Sequence, residues 1–430
     1  MGKLLNAKLF ALAMLALVLI FAIAQVEWKV NERSSTRDAA VQSIADQYAR
    51  SQHLVGPLLW VKCKDLSIPF EADANGVGRP IPVRDCSRVI RPVYIDGQGR
   101  LDVTERYRGL YKARVYVADL QLHAVIPSFR PEAGQIIENA ALIFGVSDPR
   151  GLKSIRIATG DGRDLSVLPG IKGDQLKNGF HVILDPSRLS QPMDLSMHIE
   201  IAGSGRLELT PVASDNDISL SSSWPHPSFS GGFLPETRAI DAAGFKARWR
   251  INDFATGGDQ ALNHAQAVAF GVSLIDPVDA YRQTDRAVRY GFLFVLLTLG
   301  GFFLFEIIKR KPVHPLQYML IGAAVVLFFL LLLALSEHIA FIAAYLVAAS
   351  ACVLLIVAYG RTLVGSWAGA GMLGGGYAAL YAGLYMLLLS EDNSLLMGAW
   401  LIFGLLALTM WLTRKLDWNA IGRAGEDKAA

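Results

Sequence analysis

The residues able to do chemistry are few and scattered. Eight histidines stand at positions 53, 123, 181, 198, 226, 264, 314 and 338. None falls in the His-Glu-x-x-His spacing that sets two imidazoles on one helical face, and no Cys/His spacing completes a tetrahedral site. Neither a metal nor a cofactor is expected. Gly145-Val146-Ser147-Asp148-Pro149 approaches a nucleophile elbow but ends in proline where the sharp turn needs glycine. Gly369-x-Gly371-x-x-Gly374 carries the letters of a dinucleotide fingerprint, yet no strand precedes it and it opens a long apolar run. Close helix packing through the spacings Gly365/Gly369 and Gly371/Gly375 is the better account of these glycines. The expectation is a chain that is not an enzyme.

The remaining candidates are polar groups in or beside long apolar stretches. Glu306 ends one such stretch, three and four residues before Lys309 and Arg310, the favourable order for helix ion pairs. Snorkelling to an interface competes there with a functional role. Glu337 and His338 occupy a three-residue turn, where a carboxylate beside an imidazole could relay a proton or bind a partner. Ser336 or Glu337 could equally cap the helix that follows, and both readings stay open. Glu391 and Asp392 form a matching turn, read as solvated. Trp224-Pro225-His226-Pro227-Ser228-Phe229 is dense in aromatics and prolines, so Trp224 and His226 sit either in a docking loop or in a strand end that plugs a core. Cys63 and Cys86 either pair in an oxidising compartment or remain two thiols.

The elements that must position these residues follow from composition. Of 430 residues, 52% are hydrophobic and 18% charged, too apolar for an ordinary soluble enzyme. Six apolar runs are long enough to cross a ~30 Å hydrocarbon core: Leu9–Val26, Gly291–Ile308, Leu316–Leu335, Ile339–Tyr359, Met372–Leu389 and Leu395–Leu412. Lys3, Lys8, Lys309-Arg310-Lys311, Arg361, Arg414 and Lys415 all fall on one side, while the loops Ser336–His338 and Ser390–Ser394 carry no lysine or arginine. By the positive-inside rule both termini are cytoplasmic and residues 27–289 are translocated. A signal peptide cleaved near Ala22-Ile23-Ala24 is the rival for the first run. Against it, Val41, Ile44 and Tyr48 recur at helical spacing, as in an uncleaved helix that continues as a stalk. Residues 27–289 hold 31 Lys+Arg and 31 Asp+Glu, a zero balance that argues against nucleic acid as a partner.

Between 27 and 289 the pattern has period two, the mark of half-buried strands. Ala113, Val115 and Val117 alternate, then Leu120, Leu122, Ala124 and Ile126 follow in the opposite phase. Leu195 to Ile201, Phe245 to Ile251 and Val268 to Leu274 alternate likewise. Asp96-Gly97-Gln98-Gly99, Asp148-Pro149-Arg150-Gly151, Asp161-Gly162, Asp185-Pro186 and Gly203-Ser204-Gly205 read as turns. With no strand-helix alternation, the expectation is a mostly antiparallel, sandwich-like domain, large enough for two sub-domains. The resulting division is a transmembrane helix over 1–26, a β-rich domain over 27–289, a five-helix bundle over 290–413 and a cytoplasmic tail over 414–430.

Eight motifs in order along nearly the whole chain carry a resemblance. They include Glu105-Arg106-Tyr107-Arg108-Gly109-Leu110-Tyr111, Ser147-Asp148-Pro149-Arg150-Gly151, the Trp224–Phe229 stretch and Asp276-Pro277-Val278-Asp279-Ala280-Tyr281. The others are Phe302-Phe303-Leu304-Phe305-Glu306, His314-Pro315-Leu316-Gln317-Tyr318, Leu335-Ser336-Glu337-His338 and Thr413-Arg414-Lys415-Leu416-Asp417-Trp418. Together they resemble the inner-membrane protein CreD family of Gram-negative bacteria. The resemblance implies an inner-membrane protein tied to envelope integrity, with links to colicin tolerance and to the Cre two-component response. It implies no enzyme activity and carries over no catalytic residue.

Two functional readings follow. In the first, a periplasmic β-rich domain anchored at both ends binds an envelope component or membrane-protein partner near the bilayer. In the second, a transporter or lipid-handling protein has a path lined by Glu306, Tyr318, Glu337, His338 and Tyr345, although no broken helix pair or inverted repeat is evident.

Overall fold

The computed structural model of the chain describes residues 2–65, 71–72, 78–79, 84–174, 176–258, 268–275, 280–309, 313–389 and 394–414. They fall into two compact units, one of Asp38–Pro277 and one that joins Met1–Arg37 to Val278–Ala430.

The period-two segments of the first unit form strands β1 (Gln52–Asp65), β2 (Glu71–Ala72), β3 (Gly78–Arg79), β4 (Arg84–Ile90), β5 (Tyr94–Arg108) and β6 (Tyr111–Ile126). There follow β7 (Gln135–Val146), β8 (Leu152–Thr159), β9 (Val167–Pro169), β10 (Gly179–Leu184) and β11 (Met193–Ser204). The last are β12 (Arg206–Leu209), β13 (Asp215–Ser222), β14 (Pro227–Gly231), β15 (Thr237–Asp241), β16 (Gly244–Asn252) and β17 (Phe270–Leu274). One sheet has the order β14-β17-β12-β1-β7-β10-β9, with β4 also on β1; the other has the order β15-β16-β13-β5-β6-β11-β8. Pairing is antiparallel except for β1 with β12 and β13 with β5. Leu59 and Leu142 of the first sheet share a core with Leu120 and Ile199 of the second. The sandwich therefore has one core, not the two that its length allowed.

Two local expectations change. Asp96–Gly99 is not a turn but the middle of β5. Gly97 and Gly99 face inward, where a Cβ on Gly97 would lie 2.6 Å from Leu122 Cδ2 and one on Gly99 2.6 Å from Leu220 Cδ2. The glycines admit large leucines from the neighbouring strands, a close approach rather than a reversal of the chain. The phase flip between Val115 and Leu120 is also not a break, since both lie in the single strand β6. Ala113 and Val115 are covered on one face by Val41, Ile44 and Tyr48, while Tyr116, Ala118 and Leu120 point into the sandwich from the other. Each phase records a different covering layer.

In the second unit, helix α1 (Gly2–Tyr48) runs unbroken for 47 residues, roughly 70 Å at 1.5 Å per residue. Its division between the units falls at Arg37. Leu19, Ile23, Val26 and Val30, spaced to lie on one helical face, are buried in the helical core. The short helix α2 (Asp253–Thr256) belongs to the sandwich. The others are α3 (Ala280–Arg289), α4 (Gly291–Lys309), α5 (Pro315–Ser336), α6 (Phe341–Val364), α7 (Trp367–Leu389) and α8 (Ser394–Thr413). Residues 27–37 and 278–289, expected with the soluble domain, group with the helices, because Val30, Ala287 and Val288 are buried in that core.

Among the described residues, α1, α5, α6 and α7 are each long and apolar enough to cross a membrane, and α3 with α4 forms a pair bent by 41°. Of the small-residue positions, Gly374 makes the close approach: a Cβ there would lie 2.3 Å from Val357 Cγ2 of α6, while one on Gly371 or Gly375 meets nothing within 4 Å. Gly365 takes a left-handed conformation that ends α6 rather than a packing position. Gly322 of α5 likewise admits Leu19 of α1, since a Cβ there would sit 2.2 Å from Leu19 Cδ1.

Candidate functional site

Strand alternation turns one face of the seven-stranded sheet inward and leaves the other polar. Cross-strand registers line up Arg248, Ser219, Gln98, Gln121, His198 and Arg156 as one row across β16, β13, β5, β6, β11 and β8. Adjacent strands lie about 4.8 Å apart, so the row extends about 24 Å. It floors an open groove of about 750 Å³.

Within the row, Gln98 Nε2 donates to Gln121 Oε1 at 3.3 Å. A second row places Asp217, Asp96 and His123 side by side. Arg248 Nε donates to Asp217 Oδ1 at 2.6 Å, and this guanidinium holds the Asp217 carboxyl below the usual carboxylate range. His123 Nδ1 lies 3.0 Å from Asp96 Oδ1, and His198 Nε2 lies 2.7 Å from Asp119 Oδ1. Burial, with the Asp96 and Asp217 carboxylates, pushes the Tyr94 phenol up. The carboxylates of this face therefore each have a partner, Asp217 in a guanidinium and Asp96 and Asp119 in imidazole rings that are charged only when protonated. Arg156 makes no ion pair or hydrogen bond with the described residues.

None of this row was singled out from sequence. In sequence Gln98 sits in an apparent turn, and for the other members strand order and register alone decide which outward residues are neighbours.

The structure ties up the candidate charges of the helical unit. The Glu306 carboxylate accepts from Lys8 Nζ of α1 and from the Tyr318 hydroxyl of α5, the latter at 2.7 Å, while the Lys309 side chain and Arg310 lie outside the described residues. Lys8 also donates to the Val313 carbonyl at 3.0 Å. Glu337 caps the C-terminus of α5 rather than the start of α6. Its carboxylate accepts from the Tyr281 hydroxyl of α3 at 3.1 Å and lies 3.8 Å from Arg33 of α1. His338 is exposed in the turn, with Nδ1 3.1 Å from the Ala334 carbonyl. Tyr345 is buried deeper and donates to the Tyr381 carbonyl at 2.6 Å. Glu306 and Tyr318 thus meet, but Glu337 and Tyr345 belong to separate contacts. Glu391 and Asp392 lie outside the described residues.

Trp224 leans on the sandwich core, with the Arg114 guanidinium 4.5 Å from its ring and its Nε1 donating to the His226 carbonyl at 3.1 Å. The His226 ring meets it edge-on at 5.9 Å. Cys63 and Cys86 face each other across β1 and β4, with Cα atoms 4.9 Å apart, and form a disulfide. Among the described residues, no group of three or more His, Cys, Asp or Glu side chains could hold a metal ion.

A carboxylate also anchors the turn that follows β7, where Asp148 caps Pro149–Gly151. Asp148 accepts from Arg150 Nη2 at 2.6 Å, Arg150 Nε at 2.9 Å and the Arg50 backbone N–H at 3.1 Å. The Arg150 guanidinium, aided by these amides, holds its pKa down at about 2. Because that lies below the unfolded value of about 3.9, the stabilisation is complete above about pH 4 and is lost as pH falls towards 2. Allowing for the solvent exposure of Arg150, the effect amounts to about 1 kcal/mol. Asp148→Asn should therefore unfold about 1 kcal/mol more easily than wild type at pH 7 in denaturant titrations, with the gap closing by about pH 2. An unchanged gap at the lower pH would refute the assignment.

Comparison with known proteins places the chain. The profile of the family described as "Inner membrane protein CreD" matches residues 4–419. The inner membrane protein CreD of Escherichia coli (strain K12) is 32% identical over 426 residues, covering 96% of this chain and 93% of that protein. Among solved structures, the M1 zinc metallopeptidase from Deinococcus radiodurans gives a TM-score of 0.19 at 6% identity, over 43% of this chain and 42% of its own. A two-domain M1 zinc metallopeptidase mutant bound to L-tryptophan gives 0.20 at 7% identity, over 46% and 53%. Likenesses this slight carry no argument about fold or activity. With a family profile spanning nearly its whole length and a relative aligned almost from end to end, the chain belongs to the inner membrane protein CreD family.

Proposed function

We propose that this protein maintains the cell envelope from the inner membrane, without catalysis, by binding an envelope component or membrane-protein partner through its sandwich. The polar six-strand row is the observation that carries this reading, since it offers a broad face of hydrogen-bonding groups. Both termini are cytoplasmic and the sandwich is periplasmic on this reading, supported by the lysines and arginines on one side of the apolar runs. The helices α4 to α8 then make five crossings and α1 a sixth. Apolar helices precede and follow the sandwich along the chain, which favours a component close to the bilayer. Family membership supports links to envelope stress and colicin tolerance.

A strain lacking the protein should leak periplasmic contents and become detergent-sensitive, with the barrier restored by the full chain. A barrier indistinguishable from wild type in that strain would remove the proposal.

A further inference from the structure

We infer that the polar row on the seven-stranded sheet is a binding site for a neutral, hydroxyl-rich glycan strand lying across the β-strands, an inference that rests on the envelope reading above and names the class of component bound. Four observations lead there.

The first is hydrogen-bond inventory. The bond from Gln98 Nε2 to Gln121 Oε1 leaves the Gln98 carbonyl oxygen as an acceptor and the Gln121 amino group as a donor, on adjacent strands at the exposed centre of the row. A sugar hydroxyl both donates and accepts, and two vicinal hydroxyls span such a pair. Ser219 on one side and His198 on the other continue the same face.

The second is charge. Asp217 is answered by Arg248 and Asp96 shares a hydrogen bond with the His123 ring, while Arg156 has no charged partner among the described residues. A face whose carboxylates and cations already pair has little pull on a polyanion, which needs clustered basic groups, or on a polycation. One remaining guanidinium suits a single carboxylate or acetamido oxygen at the end of an otherwise neutral ligand.

The third is the lack of peptide features. Five of the six strands that the row crosses are paired on both sides, so among the described residues main-chain bonds to an added strand are open only along the edge strand β8, at one end of the row. The apolar lining residues Leu122 and Met197 point into the core and are 6% and 3% exposed, leaving no anchor pocket for a hydrophobic side chain.

The fourth is repeat. Polar groups recur about every 4.8 Å along the row, close to the length of one pyranose unit, so a linear oligosaccharide meets a new polar side chain with nearly every ring. A compact small molecule would use only part of the groove.

The test uses the full chain in lipid nanodiscs. Titration calorimetry with a soluble β-1,4-linked N-acetylglucosamine hexamer should give saturable binding that strengthens from dimer to hexamer and changes little with salt. Gln98→Ala/Gln121→Ala should weaken binding at least tenfold, and Arg156→Ala should weaken it severalfold. All three side chains are exposed, so thermal unfolding should match wild type. Binding of heparin with steep salt dependence, or of an extended peptide in place of the hexamer, would overturn the glycan assignment, as would hexamer binding unmoved by the double variant. Complementation separates this from the envelope reading. If no glycan binds but the double variant fails to restore the barrier, the ligand class is wrong and the envelope role stands. If the hexamer binds as expected but the double variant restores the barrier fully, the site is real and the proposal that it serves envelope maintenance falls.

Discussion

Replacing Glu306 by alanine is expected to destabilise the helical unit by about 3 kcal/mol or more. The carboxylate is the acceptor for two groups from two other helices, the Lys8 ammonium of α1 and the Tyr318 hydroxyl of α5. The Lys8 and Glu306 side chains are only 21% and 15% exposed. Removing the acid leaves, among the described residues, a poorly hydrated cation with the Val313 carbonyl and the Tyr318 ring at 5.9 Å, and a hydroxyl with no acceptor, and an orphaned charge costs more than the pair contributes. Lys8→Met/Glu306→Leu removes both charges and replaces them with apolar groups, so it should recover most of the loss. Unfolding of the full chain in mixed micelles, followed against increasing denaturing detergent, reads both variants. A double variant as unstable as Glu306→Ala would show that the residues do not act as a pair. The clamp also bears on the transport reading: a carboxylate engaged by two helices in this way serves their docking. Glu306→Gln, which still accepts from Tyr318, should therefore lose only part of the stability.

A second large effect is expected in the sandwich. Gly97→Ala should cost about 3 kcal/mol, because the new Cβ would stand 2.4 Å from the Gln121 carbonyl oxygen and 2.9 Å from Leu122 Cα. Both are backbone atoms of β6, so relief requires the strand pair itself to separate. Leu122 Cδ2, at 2.6 Å, could rotate, but the backbone could not follow without losing ladder hydrogen bonds. The neighbouring Gln98→Ala faces solvent and should change stability by less than about 0.5 kcal/mol. Thermal or denaturant unfolding of the two variants side by side tests the orientation of β5. Equal effects at 97 and 98 would show that the inward face has been misassigned.

These two positions also mark where local pattern stops being informative. Asp96-Gly97-Gln98-Gly99 has the composition of a turn, and only the leucines brought in from β6 and β13 explain glycines in mid-strand. Glu306 offers a local pattern only towards the cations three and four residues ahead, whereas the structure brings to it Lys8, nearly three hundred residues away. In β6 the reversal of phase marks two different covering layers over one unbroken strand. Trp224 and His226 are conspicuous in sequence because aromatics and prolines crowd there, whereas Gln98 and Gln121 look like ordinary solvated residues until β5 and β6 set them opposite each other.

The sequence by itself determined the order of helix, sandwich and apolar helices, and the inward phase of strands such as β11 and β16, whose alternating residues are buried. Apolar length and period are local properties, written in consecutive residues and independent of what lies next in space. Only the tertiary structure decided which strands are neighbours, how far the helical unit reaches along α1, which cation answers Glu306, and that six unremarkable polar residues share one row. Those outcomes depend on pairings between segments far apart in the chain, which the total free energy of packing selects and no single segment encodes.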